Sequence, residues 1–256
     1  MPHARPEPDA PLDAQPDAQP DAQLDADALA AWLQRSPQAA FDAVRQAAQA
    51  GQVPAQLALA QMHMDGKGTP ADPHTALMWY AVAASNGSAA AMNMAGRCHE
   101  LGQGTPVDCG LAAAWYRRAA EAGLDWGMYN LANLLATGRG VSRDVAAALA
   151  LYRRAAHLGH AKSMNLLARH LEEGLETGRD PQAALAWYRR SAESGDFRGQ
   201  ANYASILLQH GQVEQAADLL RQALAQGSPA FMAHIVPELA ASTHPQIRAL
   251  VAHLAP

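Results

Sequence analysis

Residues 114–123 read AWYRRAAEAG, and nearly the same stretch returns at 186–195 as AWYRRSAESG, with the shorter LYRRAAHLG between them at 151–159. In each copy the aromatic and small residues follow the i, i+3, i+4, i+7 spacing of one helix face, and the two arginines fall outside that face. The pattern therefore predicts that the aromatic side chains pack against neighbouring helices while the arginines face water. It argues against a joint aromatic and arginine stripe that binds nucleic acid or phosphate.

These stretches are part of a repeat with a constant step of 36 residues. Repetition at a fixed step in this range is typical of solenoids that stack one two-helix unit. The repeated aspartate stands where a helix needs an N-cap and the repeated glycine where the helix ends, which predicts the second helix of each unit. Gly227 follows the last of the evenly spaced glycines after 32 residues. The repeated residues are Gly51, Gly87, Gly123, Gly159 and Gly195; Asp72, Asp108, Asp144 and Asp180; and Tyr80, Tyr116, Tyr152 and Tyr188.

The first helix of each unit carries a small residue at one repeated position, which lets neighbouring helices approach closely. These residues are Ala60, Gly96, Ala132, Ala168 and Ala204.

Taken together, these positions resemble the Sel-one-like repeat (SLR) family, a relative of the tetratricopeptide repeats. In the third unit the resemblance is carried by Leu131-Ala132, the GRGV stretch at 138–141, Asp144 and the final Ala155-Ala156-x-x-Gly159. It implies an all-α fold, a right-handed α/α superhelical solenoid of about five 36-residue helix–turn–helix repeats with capping helices. It also implies that the first helices line a concave surface and that the protein acts as a protein-interaction adaptor. Because repeat scaffolds serve many partners, the resemblance specifies fold more sharply than function.

The resemblance and the composition together divide the chain into four parts. Residues 1–25 are rich in Pro, Asp, Ala and Gln and are predicted to be a disordered acidic tail. Residues 26–50 are interpreted as an N-terminal partial repeat, 51–227 as the repeat array and 228–256 as C-terminal capping helices, the first of them broken by Pro237. The array itself is imperfect, because Glu176 replaces the second loop glycine of the fourth unit and the fifth unit has a shorter turn.

Charge and cysteine content exclude several classes of protein. Residues 1–28 hold seven acidic residues and one arginine, so the rest of the chain is close to neutral although the whole carries −5. Nucleic-acid binding needs a clearly basic face, which this composition does not provide. No apolar run has the length of a signal sequence or a membrane span, and two cysteines, Cys98 and Cys109, suit a reducing compartment. We expect a cytoplasmic monomer that binds neither nucleic acid nor membrane.

No pattern of catalytic residues stands out, and no cofactor is expected. His63 and His99 share a repeat position and raise the possibility of a metal site. One repeat step, however, separates helix axes by about 8–10 Å, which is long for two nitrogens on one ion. The loop glycines lack the frame of a phosphate-binding loop. We predict no metal ligands, and Cys98 is predicted to be a small core residue.

Polar side chains on the first helices are the candidate binding residues. An asparagine amide both donates and accepts hydrogen bonds, which suits the backbone of an extended peptide or a carboxylate. The open alternative is that these asparagines only bond neighbouring helices or face water. We therefore expect a non-enzymatic adaptor for a protein or peptide, and the competing hypothesis is a hydrolase or metal-dependent enzyme built on the solenoid. The candidate residues are Asn93, Tyr129, Asn130, Asn165 and Asn202.

Overall fold

The computed structural model describes residues 34–174 and 178–252. These residues contain thirteen α-helices joined by turns and loops, and no β-strand. The predicted tail over 1–25 and Glu176 lie outside the described residues. The helices are α1 Pro37–Gln49, α2 Val53–Asp65, α3 Pro73–Ser85, α4 Ala89–Leu101, α5 Cys109–Glu121, α6 Asp125–Thr137, α7 Val145–His157, α8 Ala161–Glu173, α9 Pro181–Glu193, α10 Phe197–Gln209, α11 Val213–Gln226, α12 Pro229–Ala240 and α13 Pro245–Val251. The prediction of an all-helical chain of helix–turn–helix repeats is confirmed.

The helices α2 to α11 form five pairs, each made of a first and a second helix of one repeat. The described chain divides into two units, one with residues 34–158 and the other with residues 159–252. The first unit holds α1 and repeats one to three, and the second holds repeats four and five followed by α12 and α13. The boundary falls at the periodic Gly159, inside the segment predicted as one array.

Aspartate N-caps start the second helices of repeats one to four. The carboxylate of Asp72 accepts a hydrogen bond from the backbone N–H of Thr75 at 3.1 Å, and Asp108, Asp144 and Asp180 accept from the residue three positions on at 2.9 Å. Such caps satisfy backbone donors that the first helical turn leaves without a partner. The sequence prediction of these helix starts is confirmed.

Two glycine positions in the second repeat differ in what surrounds them. Gly104 has φ +73°, and a Cβ there would overlap the backbone carbonyl of Pro73 at the start of the preceding second helix, α3. Gly123, which ends α5, has φ +89° and open space around it. The loop glycine therefore allows contact between successive repeats, whereas the terminal glycine only allows the left-handed turn.

In the first unit, small residues of the first helices pack against the repeated tyrosine of the second helices. A Cβ added at Gly96 on α4 would lie 2.6 Å from Cε1 of Tyr116, so only glycine admits the ring at this distance. Tyr80, Tyr116 and Tyr152 are buried, as are Ala60 and Ala132. Cys98 is fully buried in the same core, as predicted from its position, and burial raises the pKa of its thiol to about 11.

In the second unit, α12 and α13 pack on the last repeat. Leu239 of α12 and Ile247 and Val251 of α13 are buried in one cluster with residues of α10 and α11. The prediction that Pro237 breaks the first of these helices is wrong, because Pro237 lies inside α12. A proline removes one backbone donor, but the burial of Leu239 on the following turn and a bond from Ala241 N–H to the Pro237 carbonyl at 3.1 Å hold the helix beyond it.

Candidate binding surface of the first helices

Each of the four repeated tyrosines donates its hydroxyl proton to a side chain on the first helix of its own repeat. Tyr80 bonds Gln61 at 2.7 Å and Tyr152 bonds Asn133 at 2.6 Å. The other two tyrosines donate to a glutamate that lies one helical turn closer to the tyrosine in the sequence. These bonds run from Tyr116 to Glu100 at 2.7 Å and from Tyr188 to Glu172 at 2.8 Å. The acceptor therefore alternates from repeat to repeat, with a true period of two repeats, or 72 residues.

Four of the five predicted binding residues meet in pairs that follow the same two-repeat period. Asn130 donates to the side-chain oxygen of Asn93 at 2.8 Å, which joins α6 to α4 in the first unit. Asn202 donates to Asn165 at 2.8 Å and joins α10 to α8 in the second unit. Asn93, Asn130 and Asn165 are buried, and Asn202 is half-buried. Their amides are thus used between repeats, and their role in binding a partner stays a prediction.

Tyr129, the fifth predicted residue, lies beside Asn130 on α6 and is half-buried. Its ring meets Trp126 edge-on with centroids 5.9 Å apart and lies 6.3 Å from the ring of Tyr152. Aromatic pairs prefer the edge-on geometry, and Trp126 and Tyr129 are both half-buried whereas Tyr152 is buried. The first-helix surface of the first unit therefore has an aromatic section, of which only Tyr129 is predicted from the sequence.

Arg97 and Leu101 lie one and two turns beyond Asn93 on α4, and neither was predicted. Arg97 is half-buried, and Leu101 remains 39% exposed. The same two positions in the fourth repeat, 72 residues later, hold Arg169 and Glu173, whose charged groups lie 4.0 Å apart. The signal that could have identified this site is a departure from the repeat, because a leucine stands where the fourth repeat has a glutamate.

Glu100 is a buried carboxylate with two partners. Besides the hydroxyl of Tyr116, it binds the guanidinium of Arg139 from the third repeat, with an N–O distance of 3.1 Å. Burial, reinforced by the charge of Glu100, raises the pKa of Tyr116 well above its ordinary value, so the hydroxyl remains a donor. This cluster holds the second and third repeats together through charge and hydrogen bonds in the core.

The arginines of the opening motif lie on the exposed side of the second helices, as predicted, but they also cover tryptophan. The guanidinium carbon of Arg118 lies 4.5 Å from the ring centroid of Trp115, and that of Arg190 lies 4.4 Å from Trp187. Arg189 binds Glu193 at 2.8 Å. In these cation–π contacts the arginine side chain packs over the tryptophan ring. The prediction that the arginines are exposed is therefore right, but it did not include this packing.

The histidines belong to no cluster of three potential metal ligands in residues 34–174 and 178–252. His63 and His99 are half-buried; burial lowers the pKa of both, against the opposing effect of the nearby Asp72 and Asp108. His160 caps α8, where its Nδ1 accepts from the backbone N–H of Ser163 at 3.2 Å. Its burial lowers its pKa to about 3, with a smaller contribution from Lys162.

None of the helices in the described part of the chain has the length and apolar character that crossing a membrane requires.

Two solved structures resemble this chain over most of its length. One is a Sel1 repeat protein from Oxalobacter formigenes, with a TM-score of 0.74 and 22% identity, covering 89% of this chain and 97% of that one. The other is c5321, a protective antigen of uropathogenic Escherichia coli with an SLR fold, with a TM-score of 0.68 and 26% identity over 84% of this chain. The match covers 48% of c5321, so the chain spans about half its length.

A more distant likeness concerns fold alone. The immunity protein Pa5087 from Pseudomonas aeruginosa has a TM-score of 0.53 and 16% identity, and the match covers 78% of this chain and 75% of that one. No curated protein matches the chain.

The family comparison agrees with the helix pairs seen in the structure. The family model described as Sel1 repeat matches five consecutive segments, which together cover more than half of the chain: residues 53–88, 89–124, 127–160, 161–196 and 198–228. Each segment begins at or close to the start of a first helix and contains the second helix that follows. The chain therefore belongs to the Sel1 repeat family.

Proposed function

We propose that this protein is a non-enzymatic adaptor that holds a protein or peptide partner on the surface formed by the first helices of its repeats. Sel1 repeat proteins generally act as scaffolds for protein interactions. The observation that carries the proposal here is the partly accessible set of Trp126, Tyr129 and Arg97 on α4 and α6. Aromatic and arginine side chains of this kind contribute most of the energy at protein interfaces.

The asparagine pairs support the proposal through rigidity. Because Asn93–Asn130 and Asn165–Asn202 join first helices of successive repeats, the side chains beside them keep fixed positions. A surface that does not rearrange on binding loses less entropy when a partner is held. We therefore propose that the asparagines act by positioning their neighbours, with Tyr129 the predicted residue that touches the partner.

We further propose that the adaptor works in the cytoplasm as a monomer and does not bind nucleic acid. The free thiols of Cys98 and Cys109 support a reducing compartment. The stacking of Arg118 and Arg190 on tryptophans, and the pairing of Arg189 with Glu193, support a structural role for the arginines that phosphate binding would otherwise need.

Site-specific photo-crosslinking tests which surface holds the partner. A photoreactive amino acid replaces either Met94, half-buried on first helix α4, or Ala114, exposed on second helix α5, in the full chain. After irradiation in native extract, we expect a discrete adduct from position 94 that disappears when excess unlabelled protein competes. An adduct from position 114 alone, with none from 94, would contradict the proposal.

A further inference from the structure

We propose that the first-helix surface of repeats two and three is a binding site for peptides that carry a carboxylate next to an apolar side chain, with Arg97 as the residue that binds the carboxylate. This inference rests on the proposed function, because it names the chemistry of the partner that the adaptor would hold. It arises from the comparison of two arginines at the same position of the repeat.

Arg97 and Arg169 occupy equivalent positions on first helices, but only Arg169 forms an ion pair with a carboxylate of its own helix. Arg169 lies 4.0 Å from Glu173, four residues on, in an i, i+4 ion pair. The residue four positions after Arg97 is Leu101, which is 39% exposed and cannot neutralise it. The one carboxylate on the helix of Arg97, Glu100, binds Tyr116 and Arg139, so Arg97 is the arginine of the two that has no ion pair within its helix.

Asp65 acts on Tyr80 and Glu100 on Tyr116 together with the charge of Arg97, and both carboxylates have other partners. Asp65 accepts from Gln61 at 2.8 Å and binds Lys67 at 2.9 Å. Glu100 is held by Tyr116 and Arg139 in the core. Throughout residues 34–174 and 178–252, no hydrogen bond or ion pair joins Arg97 to a carboxylate. An external carboxylate is the complement that this half-buried guanidinium lacks, and a planar guanidinium binds one through two parallel hydrogen bonds.

Apolar and aromatic groups lie on the same two helices as Arg97. Leu101 and the half-buried Met94 belong to α4, and Trp126 with Tyr129 belongs to α6. The bond between Asn130 and Asn93 connects these helices one turn from Arg97, which fixes the aromatic rings relative to the guanidinium. An apolar residue beside the carboxylate of a peptide would therefore find a rigid wall to pack against.

Selection from a library of displayed heptapeptides on the full-length protein tests this chemistry. We expect the enriched peptides to share an aspartate, a glutamate or a free C-terminus beside an apolar residue. The affinity of one such peptide is then measured by fluorescence polarisation for the wild type and for three variants. Arg97→Gln is expected to weaken binding by roughly tenfold or more, since a charge-assisted bidentate contact is lost.

The other two variants separate charge from folding. Leu101→Glu copies the fourth repeat into the second and gives Arg97 a carboxylate four residues on, as Arg169 has, so it is expected to weaken peptide binding about as much as Arg97→Gln. Because Leu101 is partly exposed, the chain should fold as before, which thermal melting checks. The matched control is Arg169→Gln, which removes the equivalent arginine of the fourth repeat and should leave the affinity unchanged.

Two results would overturn the inference. Enriched peptides that bind Arg97→Gln and Leu101→Glu as tightly as the wild type would place recognition elsewhere and leave the adaptor proposal intact. Failure to enrich any peptide would also reject the inference. The crosslinks from position 94 would then decide the adaptor proposal independently. Loss of affinity in both α4 variants with retention in Arg169→Gln supports it.

Discussion

The second and fourth repeats share their internal contacts and differ in their charges. Both bond an asparagine of the first helix to an asparagine of the next repeat at 2.8 Å, and both direct a tyrosine hydroxyl at a glutamate. Yet the glutamate of the second repeat, Glu100, is buried and binds Arg139, whereas Glu172 of the fourth is half-buried. The two repeats also differ beside the asparagine, where Arg97–Leu101 corresponds to the ion pair Arg169–Glu173.

The contacts that hold the helices at a fixed spacing are thus the same in both repeats, whereas the charged side chains around them differ. A solenoid needs each repeat to fit its neighbours, so residues between helices are constrained while those at the surface are not. The arginine that forms an ion pair within the fourth repeat has no such pair in the second. Variants that copy one repeat into the other therefore test which differences are tolerated.

The largest expected effect comes from copying a residue of the fourth repeat into a loop of the second. Gly104→Glu places at 104 the residue type that the sequence has at 176. Because Gly104 has φ +73° and a Cβ would overlap the carbonyl of Pro73, we expect a loss of more than about 3 kcal/mol of unfolding free energy. Urea denaturation measures it.

The matched control for that loop is Gly123→Glu at the end of α5. Its φ is +89°, but nothing lies within 4 Å of the added Cβ, so only the left-handed conformation opposes the substitution. We expect a loss of about 1–2 kcal/mol. Equal losses at 104 and 123 would contradict the view that Gly104 serves contact between repeats.

The two glutamates should differ in cost when they are truncated. Glu100→Ala leaves the buried hydroxyl of Tyr116 without its acceptor and Arg139 without this carboxylate, so we expect a loss of about 3 kcal/mol. In Glu172→Ala, water can reach the hydroxyl of Tyr188 more easily, and the expected loss is about 1 kcal/mol. Denaturant midpoints of the two variants show which loss of unfolding free energy is larger. A larger loss for Glu172→Ala would contradict the prediction.

The asparagine pairs give a smaller difference of the same kind. Asn130→Ala removes a donor from the buried Asn93, and we expect a loss of about 2–3 kcal/mol. Asn202→Ala should cost about 1 kcal/mol, because Asn202 is half-buried and water can replace its bond to Asn165. Thermal and urea unfolding of both variants measure the difference. Equal costs would show that burial does not set the strength of these pairs.

The step of 36 residues predicts the helices well because the physical requirement repeats at every step. Asp72 and Asp108 cap their helices because each second helix must satisfy the same backbone donors, and Gly96 is small because Tyr116 lies against it in the packed repeat. The sequence therefore contains enough information to predict the elements of the fold and their ends. Pro237 is an exception, since packing of Leu239 outweighs the lost backbone bond.

The site was harder to predict because its contacts do not follow the 36-residue alignment. Asn93 and Asn130 are 37 residues apart, so alignment by the repeat places them in different columns and hides their bond. A search for repeated polar residues finds Arg97 only as the counterpart of Arg169, because the difference between the two lies in a residue that does not repeat, the leucine at 101. Side chains of neighbouring helices meet diagonally, and that offset depends on three-dimensional packing rather than on spacing along the chain.

The N-caps of α4 and α8 make the two repeats differ in how their stability depends on pH. Ser88 caps α4 and His160 caps α8 at the same repeat position. Burial lowers the pKa of His160 from 6.5 to about 3, so between these values the unfolded chain binds a proton that the folded chain does not, and stability falls as the pH drops.

His160→Ser, which copies the cap of the second repeat, removes this proton linkage. From pH 7 to pH 5, we expect the wild type to lose about 2 kcal/mol more unfolding free energy than the variant. Urea unfolding of both proteins at the two pH values measures this difference, and a constant loss of packing in the variant cancels from it. If the two proteins lose stability in parallel, the imidazole of His160 is not kept neutral by burial, and the serine and histidine caps are equivalent in their response to acid.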